Sequence, residues 1–357
     1  MKKRKKTGLF RDFFGTIRQD LKETNIKTSL WRDLRAIYEF YLSPQERTEL
    51  AAMGWFRRWL YRIFWFIINI LKKLSPFRRL LLLLSIILLL EVNNNSRVVL
   101  GYVALFIVLI LELKDKLLAH DELRAGRAVQ AALRPESCPP LSGWETYLFT
   151  RSANDVGGDL IDCIKLSDEH FGFMVGDVSG KGLGAALLMA QLQASVHALA
   201  SANKSLVKLV TQLNEIYCRG GLSNSFISFI YFDIKADSGK VNFVNAGHIP
   251  PAIIKNAQFE EWSKGGLALG LEQNTKYREE TLTLNAGDFL VVYTDGVTEA
   301  RNEKGDFWGE ERFFKLIQSF QSLNSTMLGE KIVQAINAFT GNAMRSDDLT
   351  FLILKRT

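Results

Sequence analysis

The sequence predicts an α+β fold built on antiparallel β-sheets, preceded by a segment that does not look globular. Short apolar strands follow one another directly over much of residues 145–354. The stretch Ile234–Phe243 places a polar turn between two of these strands, which is typical of a β-hairpin. Predicted helices come in groups rather than after every strand, and this order argues against a Rossmann-like fold.

Each element follows from the period of its apolar residues and from the turn residues that bound it. The predicted strands are Glu145–Arg151, Leu160–Leu166, Phe171–Val178, Phe226–Ile234, Lys240–Asn245, Ala252–Lys255, Phe289–Tyr293 and Leu349–Leu354. The predicted helices cover residues 182–201, 204–218, 310–320 and 327–340. The sequence shows no internal repeat.

The net charge of +7 is distributed unevenly along the 357 residues. Residues 1–79 contain 19 Lys and Arg against 7 Asp and Glu, a balance of +12, so the remainder sums to −5. A nucleic-acid site would need basic residues near the chemistry, and the acidic remainder argues against one. The basic excess is better suited to a membrane surface.

Cysteine and histidine residues give no sign of a metal or disulfide framework. Cys138, Cys163 and Cys218 have no ligand spacing, and this odd, sparse set predicts reduced thiols in the cytosol. The four histidines are scattered without an HExxH or a paired pattern, so a zinc site held by histidines is not expected.

Two apolar blocks, Leu80–Leu90 and Val98–Leu111, are separated by a polar break. Each is shorter than the roughly 17–25 residues that usually span a bilayer, but flanking residues extend both. A buried soluble hairpin is the alternative; because neither block offers a polar face to water, we favour a membrane hairpin. Basic residues before the first block and after the second predict that both ends are cytoplasmic.

Four regions are therefore expected. They are a basic helical and amphipathic N-terminal region at 1–75, a membrane hairpin at 76–113, a linker helix at 114–136 and a catalytic domain at 137–357. Within the first region, Trp55–Leu74 mixes aromatic and basic residues, so it is either an interfacial helix or a third membrane-embedded segment.

The glycine-rich stretch Gly176–Ala190 reads "GDVSGKGLGAALLMA" and could at first sight be a phosphate-binding loop. A Walker A motif needs an earlier glycine where Val175 stands and a Ser or Thr where Gly182 stands. The magnesium-binding hydroxyl is therefore missing. "VGGDLID" likewise lacks the acidic–aromatic pair of a GGDEF cyclase, since Leu160 and Ile161 occupy those places.

Carboxylates at strand ends are a better source of chemistry. The candidates, each beside a glycine or a second aspartate, are Asp159, Asp177, Asp295, Asp347 and Asp348. One such residue is usually a turn or cap residue, but several can meet at one edge of a sheet. There they offer the hard oxygen ligands that Mg²⁺ and Mn²⁺ prefer, and a cation would relieve their repulsion.

Six stretches occur in order over about residues 120–357: "ELRAGRAVQAALRPE", "VGGDLID", "GDVSGKGLGAALLMA", "NAGHIPPAII", "VVYTDGVTEARNEKGDFWG" and "SDDLTFLIL". With these motifs in this order, the chain resembles the SpoIIE-type, PP2C-like (PPM) serine/threonine phosphatases. The resemblance implies two antiparallel sheets flanked by helices, with two Mn²⁺ or Mg²⁺ ions at one end.

By motif match, the resemblance makes Asp177 the ligand shared by both ions, with the Val178 carbonyl contributing. Asp159, Asp295 and Asp347 would complete the catalytic cluster, and Asp348 is a weaker candidate ligand. A water activated by two metals needs no protein nucleophile, which fits the absence of a Cys-x5-Arg motif. Lys181 and Ser179 could help with phosphate or simply shape the turn, and His248 could be structural. Asp162 is expected to support the first motif.

The resemblance also implies partners and a location. It indicates a bacterial inner-membrane enzyme with its catalytic domain in the cytoplasm and a phosphorylated regulatory protein as substrate, such as a STAS-type anti-sigma-factor antagonist. Control and homodimerisation are expected through the linker helix. The alternative from another class is a catalytically silent PP2C-like scaffold that binds a signalling partner at the membrane.

Overall fold

The computed structural model describes residues 37–38, 41–91, 95–135, 138–203, 205–220, 225–256, 258–262 and 264–357. The predictions made for the first 36 residues lie outside this set. The chain divides into two compact units, Met1–Lys116 and Leu117–Thr357. The division falls within one long helix, close to the predicted junction between hairpin and linker.

The described part of the first unit is mainly helical. Its described helices are α1 (Pro44–Ala52), α2 (Trp55–Lys73), α3 (Pro76–Leu90) and the first part of α4 (Asn95–Leu133). Ser43 begins α1 with a capping box, because its hydroxyl accepts from the Glu46 amide while the Glu46 carboxylate accepts from the Ser43 amide. Proline at the first position suits the start of α1 and of α3, where no intrahelical N–H is needed.

Helices α3 and α4 lie side by side in opposite directions. Gly101 of α4 packs against Leu89 and the Ser85 carbonyl of α3, so that a Cβ there would crowd both. At the other end, the Arg78 guanidinium donates to Glu112 at 2.8 Å and to Asp115 at 2.6 Å. These contacts give the hairpin arrangement that the two apolar blocks predict.

Helix α4 is longer than expected, because the second apolar block and the linker form one helix of 39 residues. No proline interrupts residues 95–134, and the polar residues at the predicted junction are good helix formers. Among the described residues, two helices are long and apolar enough to cross a membrane, α4 and Leu183–Ala200, although the second is largely packed into the other unit.

The second unit contains two five-stranded antiparallel sheets. One has the order β1–β10–β9–β6–β7 and the other β2–β3–β4–β5–β8. The strands are β1 (Trp144–Arg151), β2 (Leu160–Lys165), β3 (His170–Val178), β4 (Ile227–Lys235), β5 (Lys240–Ala246), β6 (Ala252–Lys255), β7 (Gln258–Glu261), β8 (Glu280–Thr283), β9 (Phe289–Tyr293) and β10 (Leu349–Arg356).

Three apolar clusters fix the layers of this unit. The first, around Phe173, Phe232 and Leu352, lies between the two sheets. The second packs α5 (Leu183–Ala200) and α6 (Leu206–Arg219) against the β2–β8 sheet. The third packs α8 (Glu310–Ser319) and α9 (Ser325–Thr340) against the other sheet, below the one-turn helix α7 (Asp295–Thr298). The predicted α+β sandwich flanked by helices is therefore confirmed.

The predicted elements agree with the structure to within about two residues at most ends. Strands β7 and β8 were not predicted; each has only four residues, too few for a clear alternation. Helix α7 was also missed, because its four residues directly follow an apolar strand.

The prediction of reduced thiols is wrong for two of the three cysteines, since Cys138 and Cys163 form a disulfide in the structure. Their Cα atoms are 5.9 Å apart although 25 positions separate them in the chain. The fold brings the segment after α4 against β2, and no spacing rule could have indicated this pairing. Cys218 has a free thiol.

Candidate active site

The predicted carboxylates are brought together at one end of the two sheets. Asp159 directly precedes β2, and Asp177 is the last residue but one of β3, its antiparallel neighbour. Leu160 pairs with Gly176 in this antiparallel arrangement. Asp159, directly before Leu160, and Asp177, directly after Gly176, therefore lie at the same end of the two strands. Asp295 follows β9 in the same way that Asp347 precedes β10, and these strands are also neighbours.

Hydrogen bonds between the sheets hold the two halves of the site together. The Thr294 hydroxyl, directly before Asp295, donates to Asp159 Oδ2 at 2.9 Å. Asp348 Oδ2 accepts from the Gly158 amide at 2.8 Å and the Asp159 amide at 3.4 Å, and its Oδ1 accepts from the Ala153 amide at 2.7 Å. The buried Asp348 therefore positions the loop that carries Asp159.

Glycines allow close approaches around this loop. A Cβ on Gly157 would collide with the Asp348 carboxylate, and one on Gly296 would collide with the Asp348 carbonyl. A Cβ on Gly158 would lie 3.2 Å from the Val178 carbonyl oxygen. The Asp159 loop thus lies directly against the end of β3, where Asp177 and Val178 stand.

The electrostatics of the site are dominated by burial and by repulsion between carboxylates. Burial, together with Asp295 and Asp347, raises the pKa of Asp177 to about 7, although a hydrogen bond from Asp159 partly offsets this. Burial and the nearby Asp177 raise the pKa of Asp159 well above its ordinary value. Burial and Asp347 also raise the pKa of Asp295. Three carboxyls are therefore hard to ionise together unless positive charge is supplied.

This donor set fits divalent metal ions in its chemistry. Four carboxylates offer hard oxygens, and the raised pKa values of Asp159, Asp177 and Asp295 reflect negative charge that a cation would neutralise. Within the described ranges, however, no three Asp, Glu, His or Cys side chains are grouped closely enough to hold an ion as they stand. The carboxylates would have to close around an ion, which mutual repulsion opposes until the ion's charge is present.

The other motif residues have mainly structural contacts. Ser179 forms paired hydrogen bonds with Phe226, in which its amide donates to the Phe226 carbonyl and its hydroxyl accepts from the Phe226 amide. The His248 amide donates to Asn245 Oδ1 at 2.8 Å, and its Nδ1 lies 3.0 Å from the Ser228 hydroxyl. Burial lowers the pKa of His248 to about 4, so the ring is neutral at pH 7. Lys181 is an exception, because it contacts Asp347.

Sequence reasoning expected a supporting role for Asp162 but did not find its hydrogen-bond partners or those of Gln130. Asp162 Oδ2 accepts from Gln193 Nε2 at 2.6 Å and lies 2.7 Å from His197 Nε2. The same Gln193 nitrogen donates to the Leu133 carbonyl at the end of α4. Gln130 of α4 exchanges hydrogen bonds with the backbone of Gly157. The sequence signal for these contacts was weak: Gln130 on α4 and Gln193 on α5 are polar residues on helix faces that also carry apolar residues.

Two antiparallel sheets between helix pairs, with aspartates gathered at one end, define the class as a PP2C-like phosphatase domain. The same fold is found in the SiaA-PP2C domain of Pseudomonas aeruginosa, with a TM-score of 0.60 over 68% of this chain and 99% of that one, at 18% identity. This likeness supports the fold alone.

The sequence comparisons identify the family. The family described as Stage II sporulation protein E (SpoIIE) matches residues 167–357, so the chain belongs to the SpoIIE family. The protein IcfG of Synechocystis is 27% identical over 267 residues, which cover 66% of this chain but only 41% of IcfG. The phosphoserine phosphatase RsbU of Bacillus subtilis is 25% identical over 254 residues, 67% of this chain and 75% of RsbU.

Proposed function

We propose that this protein is a metal-dependent phosphoprotein phosphatase that hydrolyses phosphoserine or phosphothreonine. The observation that carries the proposal is the convergence of Asp159, Asp177, Asp295 and Asp347 at one end of the sandwich. Burial and neighbouring carboxylates raise the pKa values of the first three. Membership of the SpoIIE family and similarity to a named phosphoserine phosphatase support it.

In this proposal the four aspartates and the Val178 carbonyl would hold two Mn²⁺ or Mg²⁺ ions. Bound ions of this kind lower the pKa of a water and neutralise phosphoryl oxygens. The protein's own contribution is positioning: Thr294 orients the Asp159 carboxylate, and Asp348 fixes the loop before β2. Asp348 uses both oxygens on backbone amides, which favours Asp347 over Asp348 as the ligand.

A phosphorylated regulatory protein is the proposed substrate, and a STAS-type anti-sigma-factor antagonist is the class that the family resemblance indicates. A crevice beside Asp347, lined in part by Arg301, Met344 and Arg345, leads to the candidate site. It offers two guanidinium groups to a phosphorylated segment.

The proposed location is the bacterial inner membrane, with the catalytic unit in the cytoplasm. Side chains of α3 and α4 such as Leu84, Ile87, Phe106 and Leu109 are about half or more exposed, as expected of a surface that meets lipid rather than water. We also propose that α4 contributes to a homodimer, since Leu117, Leu118 and Val129 beyond the apolar stretch are exposed as well.

The test is phosphate release by the full-length protein in detergent, from an aryl phosphate and from a phosphoserine peptide, with and without Mn²⁺. We expect Mn²⁺-dependent release, and activity at least about a hundredfold lower in Asp177→Asn, because this variant loses the anionic ligand that both ions are proposed to share. Asp168→Asn, on the exposed turn before β3, is the matched control and should retain activity. A wild type that releases no phosphate would instead support a silent scaffold.

A further inference from the structure

Lys181 lies on the glycine-rich turn after β3 and reaches the loop before β10. Its Nζ donates to Asp347 Oδ2 at 2.9 Å and to the Ser346 carbonyl at 2.5 Å. The flanking Gly180 and Gly182 have φ angles of +98° and +77°, a conformation that glycine adopts without strain. This turn lets the lysine reach back to the loop that carries Asp347.

The contact matters because few of the described basic side chains lie near the cluster; Arg134 interacts electrostatically with Asp159 and Asp348. Among the residues that the structure describes, Lys181 is the basic side chain within ion-pair distance of any of the four clustered aspartates. Lys181 also lowers the pKa of Asp295, although burial and Asp347 raise it more. The lysine therefore neutralises part of a cluster whose other members repel one another.

We propose that Lys181 is the internal counter-ion of the carboxylate cluster and competes with a divalent cation for Asp347. This rests on the proposed function, in which Asp347 is a metal ligand. A carboxylate oxygen that accepts from an ammonium group is less available to a metal, and the two positive charges repel each other. Lys181 and Asp347 are 55% and 40% exposed, so the pair can open without disturbing the core.

If Lys181 competes with the metal, removing it changes the metal affinity in the opposite direction from removing a structural contact. Removing a structural contact from a metal site weakens metal binding, because the ligands become less well positioned. Removing a competing counter-ion strengthens metal binding at the carboxylate that it had neutralised. The direction of the change in affinity therefore separates the two roles.

The experiment is calorimetric titration of Mn²⁺ into full-length protein in detergent. For Lys181→Met we expect about tenfold tighter binding at one site, since a neighbouring opposite charge commonly shifts such an equilibrium by that order. Lys181→Arg keeps the charge and should bind like wild type. Lys165→Met is the matched control, because it removes a lysine that pairs with Asp168 at 2.7 Å away from the cluster.

Equal or weaker Mn²⁺ binding by folded Lys181→Met would overturn the role of Lys181 while leaving the proposed function standing. The circular dichroism spectrum establishes folding, and Lys181→Gln provides a second neutral side chain if the methionine variant does not fold. Failure of the wild type to bind Mn²⁺ would overturn both proposals.

Discussion

Asp347 and Asp348 are neighbours in the chain with opposite environments. Asp347 is half-exposed and faces Lys181, whereas Asp348 is buried and accepts from the amides of Ala153 and Gly158. Asp347 is thus the candidate ligand and Asp348 the residue that positions the loop before β2, a distinction that the sequence alone did not make.

The two aspartates should therefore respond differently to the same substitution. We expect Asp348→Asn to lower the free energy of unfolding by about 2 kcal/mol, because an amide nitrogen replaces an acceptor of buried N–H groups. Asp347→Asn should leave it nearly unchanged and instead weaken Mn²⁺ binding. Urea denaturation followed by tryptophan fluorescence measures the first, and calorimetric titration the second. Equal losses of stability would contradict the division.

A pH dependence follows from the raised pKa of Asp177. An unfolded aspartate has a pKa of about 3.9, whereas folding raises that of Asp177 to about 7. Between these values the folded protein binds more protons, so its stability falls as the pH rises from about 4 to about 7. This contribution is complete below about pH 4 and is lost as the pH passes about 7.

Asp177→Asn removes this titration. With EDTA present, the stability of the variant relative to wild type should increase over that pH range, as measured by thermal unfolding. Asp168, whose pKa is lowered by Lys165, is the control, and Asp168→Asn should not show this increase. A difference between Asp177→Asn and wild type that is constant with pH would contradict the account.

At the scale of elements, the connection between α4 and the sandwich is held by more than packing. The Leu133 carbonyl accepts from Gln193, the Arg134 guanidinium donates to Ser152 at 3.0 Å, and Cys138 is bonded to Cys163 in β2. Ser152 and Cys163 are close in sequence to Asp159 and Asp162, and Gln193 donates a hydrogen bond to Asp162. The end of α4 is thus fastened to the strand that begins beside the candidate site.

The disulfide should be detectable as a lower number of reactive thiols before reduction than after it. Unfolded protein prepared without reductant should react with a thiol reagent at Cys218 alone, and at all three cysteines after reduction. Closing a loop of 25 residues stabilises by about 3 kcal/mol, so Cys138→Ser should lower the free energy of unfolding by about that amount without reductant. With reductant the difference should vanish. Three reactive thiols before reduction would contradict the pairing.

At the scale of the whole molecule, the two units differ in the surface that they show. The catalytic unit buries most of its large apolar residues in three clusters. The helical unit leaves many apolar side chains of α2, α3 and α4 exposed. Helix α3 has 15 residues and is about 22 Å long, shorter than a bilayer core of about 30 Å, so its flanks must contribute if it spans.

A membrane location predicts that the full-length protein resists extraction from membranes by alkaline carbonate. Phe106→Lys with Ile110→Lys should release it, because a lysine at the centre of a spanning helix costs roughly 2.5–3.5 kcal/mol each. Val129→Lys with Leu133→Lys, on the same helix beyond the apolar stretch, should leave it membrane-bound. Wild-type protein found wholly in the soluble fraction would contradict the location.

The sequence by itself determined the elements and their chemistry, because both are local properties. Apolar periodicity located eight of the ten strands, and glycines beside strand ends marked the aspartates. It could not separate Asp347 from Asp348, pair Cys138 with Cys163, or find the contact between Lys181 and Asp347. These depend on residues up to 195 positions apart, and only the packing of two sheets and their helices brings such residues together.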